Sequence, residues 1–251
     1  MQKLLLVSLI MIAAGVSAEG PVHGTGTQGG LSGFLFLPGN DVLSTGLLRV
    51  QGRLDYLDVK DSDASYLVMP ISAAWGVIEN LEVGGEIPVY LDDPSEDHEL
   101  LGDITAGCAW LYETARGGSS IVLRGQMRLP TGQSGRDRGT ELDLGISTST
   151  TFRLFRLQAA GSYVLNGQDN PFEDDIRDYM RFSIGGASYV TEDVQLVVSM
   201  DGSTWGELGL SGSGVFYSFD GFALFGNARL GLSGSRSGSI SAGVSWTGSG
   251  F

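Results

Sequence analysis

About twelve stretches of this chain alternate apolar and polar residues with period two. Each is long enough, as a tilted strand, to cross the hydrocarbon of an outer membrane. Their connections alternate as well, long and polar at one step and only a few residues at the next. Lipid offers backbone groups no hydrogen-bond partner, so strands can span it only in a sheet closed on itself. The double alternation therefore predicts an all-β fold, a transmembrane antiparallel up-and-down β-barrel of about 12 strands occupying residues 44–251.

The stretches run over 44–59, 64–77, 81–92, 102–115, 119–131, 140–153, 154–167, 178–190, 193–203, 206–218, 221–234 and 237–250. In the fifth, Ile121, Leu123, Met127 and Leu129 share one face, and Arg124, Gln126 and Arg128 share the other. The first sets Leu48, Val50, Leu54 and Tyr56 against Arg49, Gln51, Arg53 and Asp55. Helical spacing would scatter those arginines around the axis. Connections 93–101, 132–139 and 168–177 are long; 60–63, 204–205 and 235–236 are shorter but lie at the same steps. They alternate with tight turns near Glu79-Asn80, Gly117-Gly118, Arg153, Thr191-Glu192 and Phe219-Asp220. Outer-membrane barrels keep long loops outside and short turns inside, and an even strand number then leaves both termini in the periplasm.

Residues 1–18, MQKLLLVSLIMIAAGVSA, read as a signal peptide: Lys3, an apolar run, then Val16-Ser17-Ala18 as cleavage site. Cleavage there removes one of 15 Lys and Arg and none of 29 Asp and Glu, taking the net charge from −14 to −15. That balance excludes nucleic acid as a partner, because its phosphates would be repelled. The lone Cys108 excludes an intrachain disulfide framework. It shares the apolar parity with Ala106 and Trp110, and reads as a small lipid-facing residue. Residues 19–43 form a Gly-rich lead-in or partial plug. Their GTGTQG, at 24–29, has the spacing of a dinucleotide fingerprint but neither the preceding strand nor the following helix.

Aromatic residues give an independent check. Trp75, Trp110, Tyr112, Phe152, Phe155, Phe216, Phe222 and Trp246 lie on the apolar parity beside the short turns or the C-terminal end, as a membrane girdle would. Tyr56, Tyr163 and Phe182 take the same parity near the opposite rim. Outer-membrane lipid and lipopolysaccharide are the surroundings this implies. The chain stops at Phe251, which resembles the C-terminal assembly signal read by the barrel-assembly machinery, although its parity differs from that of Ile240, Ala242, Val244 and Trp246. A bulge or a turned-in end at Gly248 or Gly250 would reconcile the two.

The segments VGGEIPVYL (83–91), LLGDITAGCAWLY (100–112), GQMRLPTGQSG (125–135), GTELDLGISTS (139–149) and AAGSYVLNG (159–167) together resemble the outer-membrane barrel family described as transporters of the MetA pathway of phenol degradation. The LPTG followed by a Gly-rich loop is the most specific of them. The stretch GFLFLPGNDVLSTG (33–46) resembles the entry strand of related barrels, with Gly-Asn-Asp where small residues usually follow the proline. The resemblance implies an outer-membrane barrel with a transport role.

The inward parity carries the polar inventory: Arg49, Arg53, Asp55, Glu82, Glu86, Arg124, Arg128, Glu141, Asp143, Arg156, Arg181, Asp201 and Arg229. Such mixed charges line a lumen, either filling a small barrel or setting the selectivity of a narrow pore. Glu141 and Asp143 face the strand of Arg124 and Arg128, which predicts an Arg–carboxylate ladder. Gly209, Ser211, Ser213, Gly231, Ser241, Gly243 and Ser245 make the last third of the wall small and neutral, leaving space there. The acidic loops at 92–99 and 172–175 lack the glycine and spacing of an EF-hand, and read as a solvated rim or one bridged by divalent cations to anionic lipid headgroups. His23 and His98 are the only histidines, and no nucleophile or metal motif surrounds them, so no enzyme, cofactor or metal site is expected. The reading is a passive channel or uptake porin for small solutes, hydrophobic or aromatic ones included. The alternative is a closed structural barrel, tied to envelope assembly or polysaccharide export, with no solute flux.

Overall fold

The computed structural model describes residues 31, 33–34, 37–38, 42–59, 65–92, 100–113, 119–132, 140–152, 155–166, 178–218, 221–233 and 236–249. Expectations for residues 1–18, for most of 19–41, for the acidic stretches beyond Asp92 and at 172–175, and for Phe251 lie outside the described residues. Two short strands, β1 (Gly33–Phe34) and β2 (Leu37–Pro38), pair with each other. The others are β3 (Leu47–Val59), β4 (Ser65–Ile78), β5 (Leu81–Asp92), β6 (Ile104–Glu113), β7 (Ser119–Leu129) and β8 (Glu141–Thr151), then β9 (Arg156–Asn166), β10 (Tyr179–Tyr189), β11 (Val194–Ser203), β12 (Leu208–Tyr217), β13 (Phe222–Ser233) and β14 (Arg236–Ser249). Each begins and ends within a few residues of its sequence-based bounds.

From β3 to β14 every strand pairs antiparallel with the next, and β14 returns to β3 to close the barrel. The closing seam runs from Arg236 opposite Val59 to Ser249 opposite Leu47. Closure leaves no row of unpaired backbone groups, the condition for a sheet surrounded by hydrocarbon. Period-two sequence becomes an inside and an outside. On β4, Ile71, Ala73 and Trp75 are exposed while Ser72, Ala74 and Gly76 are buried; on β11, Leu196, Val198 and Met200 are exposed between Gln195, Val197 and Ser199. The outer face thus carries Leu, Ile, Val and aromatic side chains, and the inner face most of the charge.

The start of β3 and the end of β14 meet at the rim that holds the short β4–β5 turn, where Asn80 adopts φ 65°. We call this rim the turn end and the opposite one the loop end. The β5–β6 seam is regular from Leu81–Trp110 to Glu86–Thr105 and then thins. Pro70 and Pro88 face each other across β4 and β5, and neither has an N–H to donate. Beyond them the seam continues through Gly102 N–H to the Pro88 carbonyl and Tyr90 N–H to the Leu100 carbonyl, both 2.9 Å.

The chain reaches β3 from within. Leu31, Val42 and Leu43 are buried, and Leu31 and Val42 pack with the inward residues Ala109, Leu111 and Val122. Gly76 makes the passage possible: a Cβ there would stand 2.5 Å from the Leu43 carbonyl oxygen and closer still to that of Ser44. Gly46, at φ 81°, turns the chain into the wall, and its N–H bonds the Gly76 carbonyl at 2.8 Å.

Candidate functional site: the barrel interior

Near the turn end, inward Arg49 of β3 faces inward Glu82 of β5 at 3.8 Å, with side chains 2% and 0% exposed. Glu82 also accepts a 2.8 Å hydrogen bond from the Leu43 N–H, tying the inner segment to the wall. Arg124 of β7 stands within electrostatic reach of both Glu82 and Arg49. A buried carboxylate requires such partners, since an isolated charge here would cost several kcal/mol.

Halfway up, Arg53 donates from Nε to both Asp55 oxygens at 2.8 Å, and its Nη2 lies 3.4 Å from Glu86. At the loop end Arg128 reaches Glu141 at 3.2 Å, and Arg181 bridges Glu141 at 3.2 Å and Asp143 at 3.1 Å from two strands away. Arg181 also donates to the Tyr179 hydroxyl. Arg229 holds Asp201 in a fork, Nη2 to Oδ2 at 2.7 Å and Nε to both oxygens at 3.1 Å. Arg156 sits apart at the turn-end rim, bonded to the Thr151 hydroxyl. The ladder expected between β7 and β8 forms through Arg128. Its second rung comes from Arg181 on β10, whose long inward side chain reaches over β9, where the inward residues are the short Ser162 and Val164.

The small wall is less empty than its composition suggests. A Cβ on Gly209 would lie 2.5 Å from the Arg229 guanidinium, and one on Gly243 would lie 2.5 Å from the Phe225 ring. The glycines receive large side chains from the neighbouring strand. Ser199 and Ser211 share a 2.6 Å hydrogen bond, Asn227 donates to Ser213, and the Tyr217 hydroxyl donates to Gln195 at 2.9 Å.

Outside, Trp75, Trp110, Tyr112, Phe152, Phe216 and Phe222 are exposed near the turn end, whereas Phe155 and Trp246 are half-buried there. Phe152 and Phe155 tilt against each other with centroids 5.2 Å apart. Tyr56, Tyr163 and Phe182 are exposed toward the loop end, and Cys108 is exposed on the outer row.

Two features escaped the sequence reading. The turn-end interior holds apolar clusters beside its charges, with Ala187, Val197, Val215 and Ala223 packed beside Tyr217 and Phe225 across from the Leu31 contact. The signal was present as segments apolar on both parities, such as IVL at 121–123 and LVV at 196–198. The second is Trp205, stacked on Tyr179 at the loop end. No local pattern brings residues 26 positions apart in the chain into contact, so only barrel closure reveals the pair.

No family model and no curated protein matches the chain. Solved structures do share its fold. The COG4313 outer-membrane channel from Pseudomonas putida F1 superposes with a TM-score of 0.68 at 11% identity, over 83% of this chain and 98% of that one. The KdgM porin gives a TM-score of 0.60 at 7% identity, over 79% and 98%. The NanC porin gives 0.59 at 9%, over 79% and 98%. At these identities the likeness establishes the architecture: a closed antiparallel barrel of the kind found in outer-membrane channels.

Proposed function

We propose that the protein is a passive channel of the Gram-negative outer membrane, admitting small solutes through its lumen. One observation carries this reading: an apolar outer face encloses an interior whose wall is lined with ion pairs, among them Arg53–Glu86, Arg181–Glu141 and Arg229–Asp201. Such an inside is polar enough to hold water, and such an outside belongs in lipid. In this reading the turn end and both termini are periplasmic, and the turn-end aromatics form the membrane girdle. The inward charges from Arg49 to Arg229 line the path, and residues 19–43 act as a partial plug latched through Glu82. The last strand and Phe251 supply the signal for the barrel-assembly machinery.

Pairing also bears on solute class. KdgM has been solved in complex with oligogalacturonate. Here Arg49, Arg53, Arg128, Arg181 and Arg229 each have a carboxylate within 4 Å. That arrangement leaves little excess positive charge for an acidic saccharide and favours neutral solutes. The resemblance to phenol-pathway transporters supports small aromatic ones among them. The filled glycines and the apolar turn end favour the second reading, a closed structural or export-associated barrel. Planar-bilayer recording from the purified protein separates the two. Discrete open events with flux of small neutral solutes into proteoliposomes are expected; a silent bilayer and impermeable liposomes would leave the closed barrel standing.

A further inference from the structure

The β11–β12 turn carries Trp205, half exposed at the loop-end mouth. Its ring stacks on Tyr179 with centroids 4.2 Å apart and planes 27° from parallel. Tyr179 is only 8% exposed and belongs to the inward row of β10 with Arg181 and Ser183. An indole stacked on an inward residue leans over the mouth, not out toward headgroups. The other tryptophans, Trp75, Trp110 and Trp246, lie on the outer row near the turn end.

The turn is held firmly. Thr204 donates its N–H to the Met180 carbonyl at 3.0 Å, and its hydroxyl accepts the Met180 N–H at 3.1 Å. Gly206, at φ 85°, closes the bend with its N–H on the Ser203 carbonyl, and Ser233 donates to the Gly206 carbonyl from the other side. With one face on Tyr179, Trp205 remains 51% exposed. A fixed ring loses little entropy when a second ring stacks on it.

Beneath the pair, the Arg181 guanidinium lies 5.0 Å from the Tyr179 centroid, and Arg181 and Arg128 are matched by Glu141 and Asp143. Those four charges cancel, and Asp178 beside Tyr179 and Glu207 in the same turn add negative charge that turns anions away. We propose that Trp205, backed by Tyr179, forms an entry subsite that stacks neutral solutes with a flat ring face, whether an aromatic ring or the apolar face of a pyranose. The proposal deepens the channel reading and rests on it for the direction of traffic.

Calorimetry on the full-length protein with 4-hydroxybenzamide, cellobiose and acyclic mannitol tests it. At least one ring probe should bind saturably and mannitol should not, and the ring probe that binds names the source. W205A should weaken that probe by about tenfold, as losing one aromatic stack would, while W205F should retain most of the affinity. In bilayers the same probe should reduce the current at lower concentration from the loop side than from the turn side. Equal affinity in wild type and W205A, or no ring binding at all, would overturn the subsite. So would quenching of Trp205 by brominated lipid in a W75F/W110F/W246F background, because the indole would then be a lipid anchor. That measurement and W205F decide the matter even where W205A does not fold. A protein that binds a ring probe but never conducts would sink the channel reading and spare the subsite; one that conducts without binding would do the reverse.

Discussion

At the turn end of the interior, Ala109, Leu111 and Val122 pack with Leu31 and Val42, and the Arg49–Glu82 pair is almost wholly sealed from solvent. At the loop end, Arg128 and Arg181 keep side-chain exposures of 33% and 42% while holding Glu141 and Asp143. One end is built like a small protein core with a charge latch, the other like a wet mouth. The contrast teaches that a lumen graded along its axis can restrict passage at one level and remain hydrated at another. An ion pair of the same composition therefore does different work at the two levels.

Removing residues 19–43 attacks the difference most directly. If the inner segment narrows the turn end, single-channel conductance should rise severalfold; an unchanged conductance would place the restriction elsewhere. Next in size is Glu82→Ala, which strips the Leu43 latch and the carboxylate facing a buried arginine. Unfolding in urea with lipid vesicles should show a loss of about 3 kcal/mol.

Glu141→Ala provides the matched control at the mouth. Its arginine partners reach solvent, so a loss below about 1 kcal/mol is expected. Comparable losses at Glu82 and Glu141 would erase the distinction between the ends. Gly209→Ala sets a Cβ against the Arg229 guanidinium, a flexible group able to yield. The stability change should stay within about 1 kcal/mol. A fall in conductance would show that Arg229 had swung off the wall into the lumen.

The alternation of Leu48, Val50 and Leu54 with Arg49, Gln51 and Arg53 was enough to place β3, because period two maps directly onto inside and outside. The short turn at Glu79-Asn80 set the β4–β5 hairpin just as locally. The site was read less completely. Which side chains face inward followed from parity, but Arg181 reaching over β9 to Glu141 did not. Nor did Phe225 filling the place of Gly243, or Trp205 lying on Tyr179. Each depends on how far a long side chain extends once the sheet has curved.

The sequence by itself determined an all-β chain, the bounds of its strands and the two faces of its wall, since alternation and turn residues act over two to four positions. Only the tertiary structure decided what lies across the lumen from what. Closing β14 onto β3 fixes the height at which each inward residue sits, and curvature brings together groups that no local period relates. The sealed latch at one end and the stacked rings at the other are products of that closure.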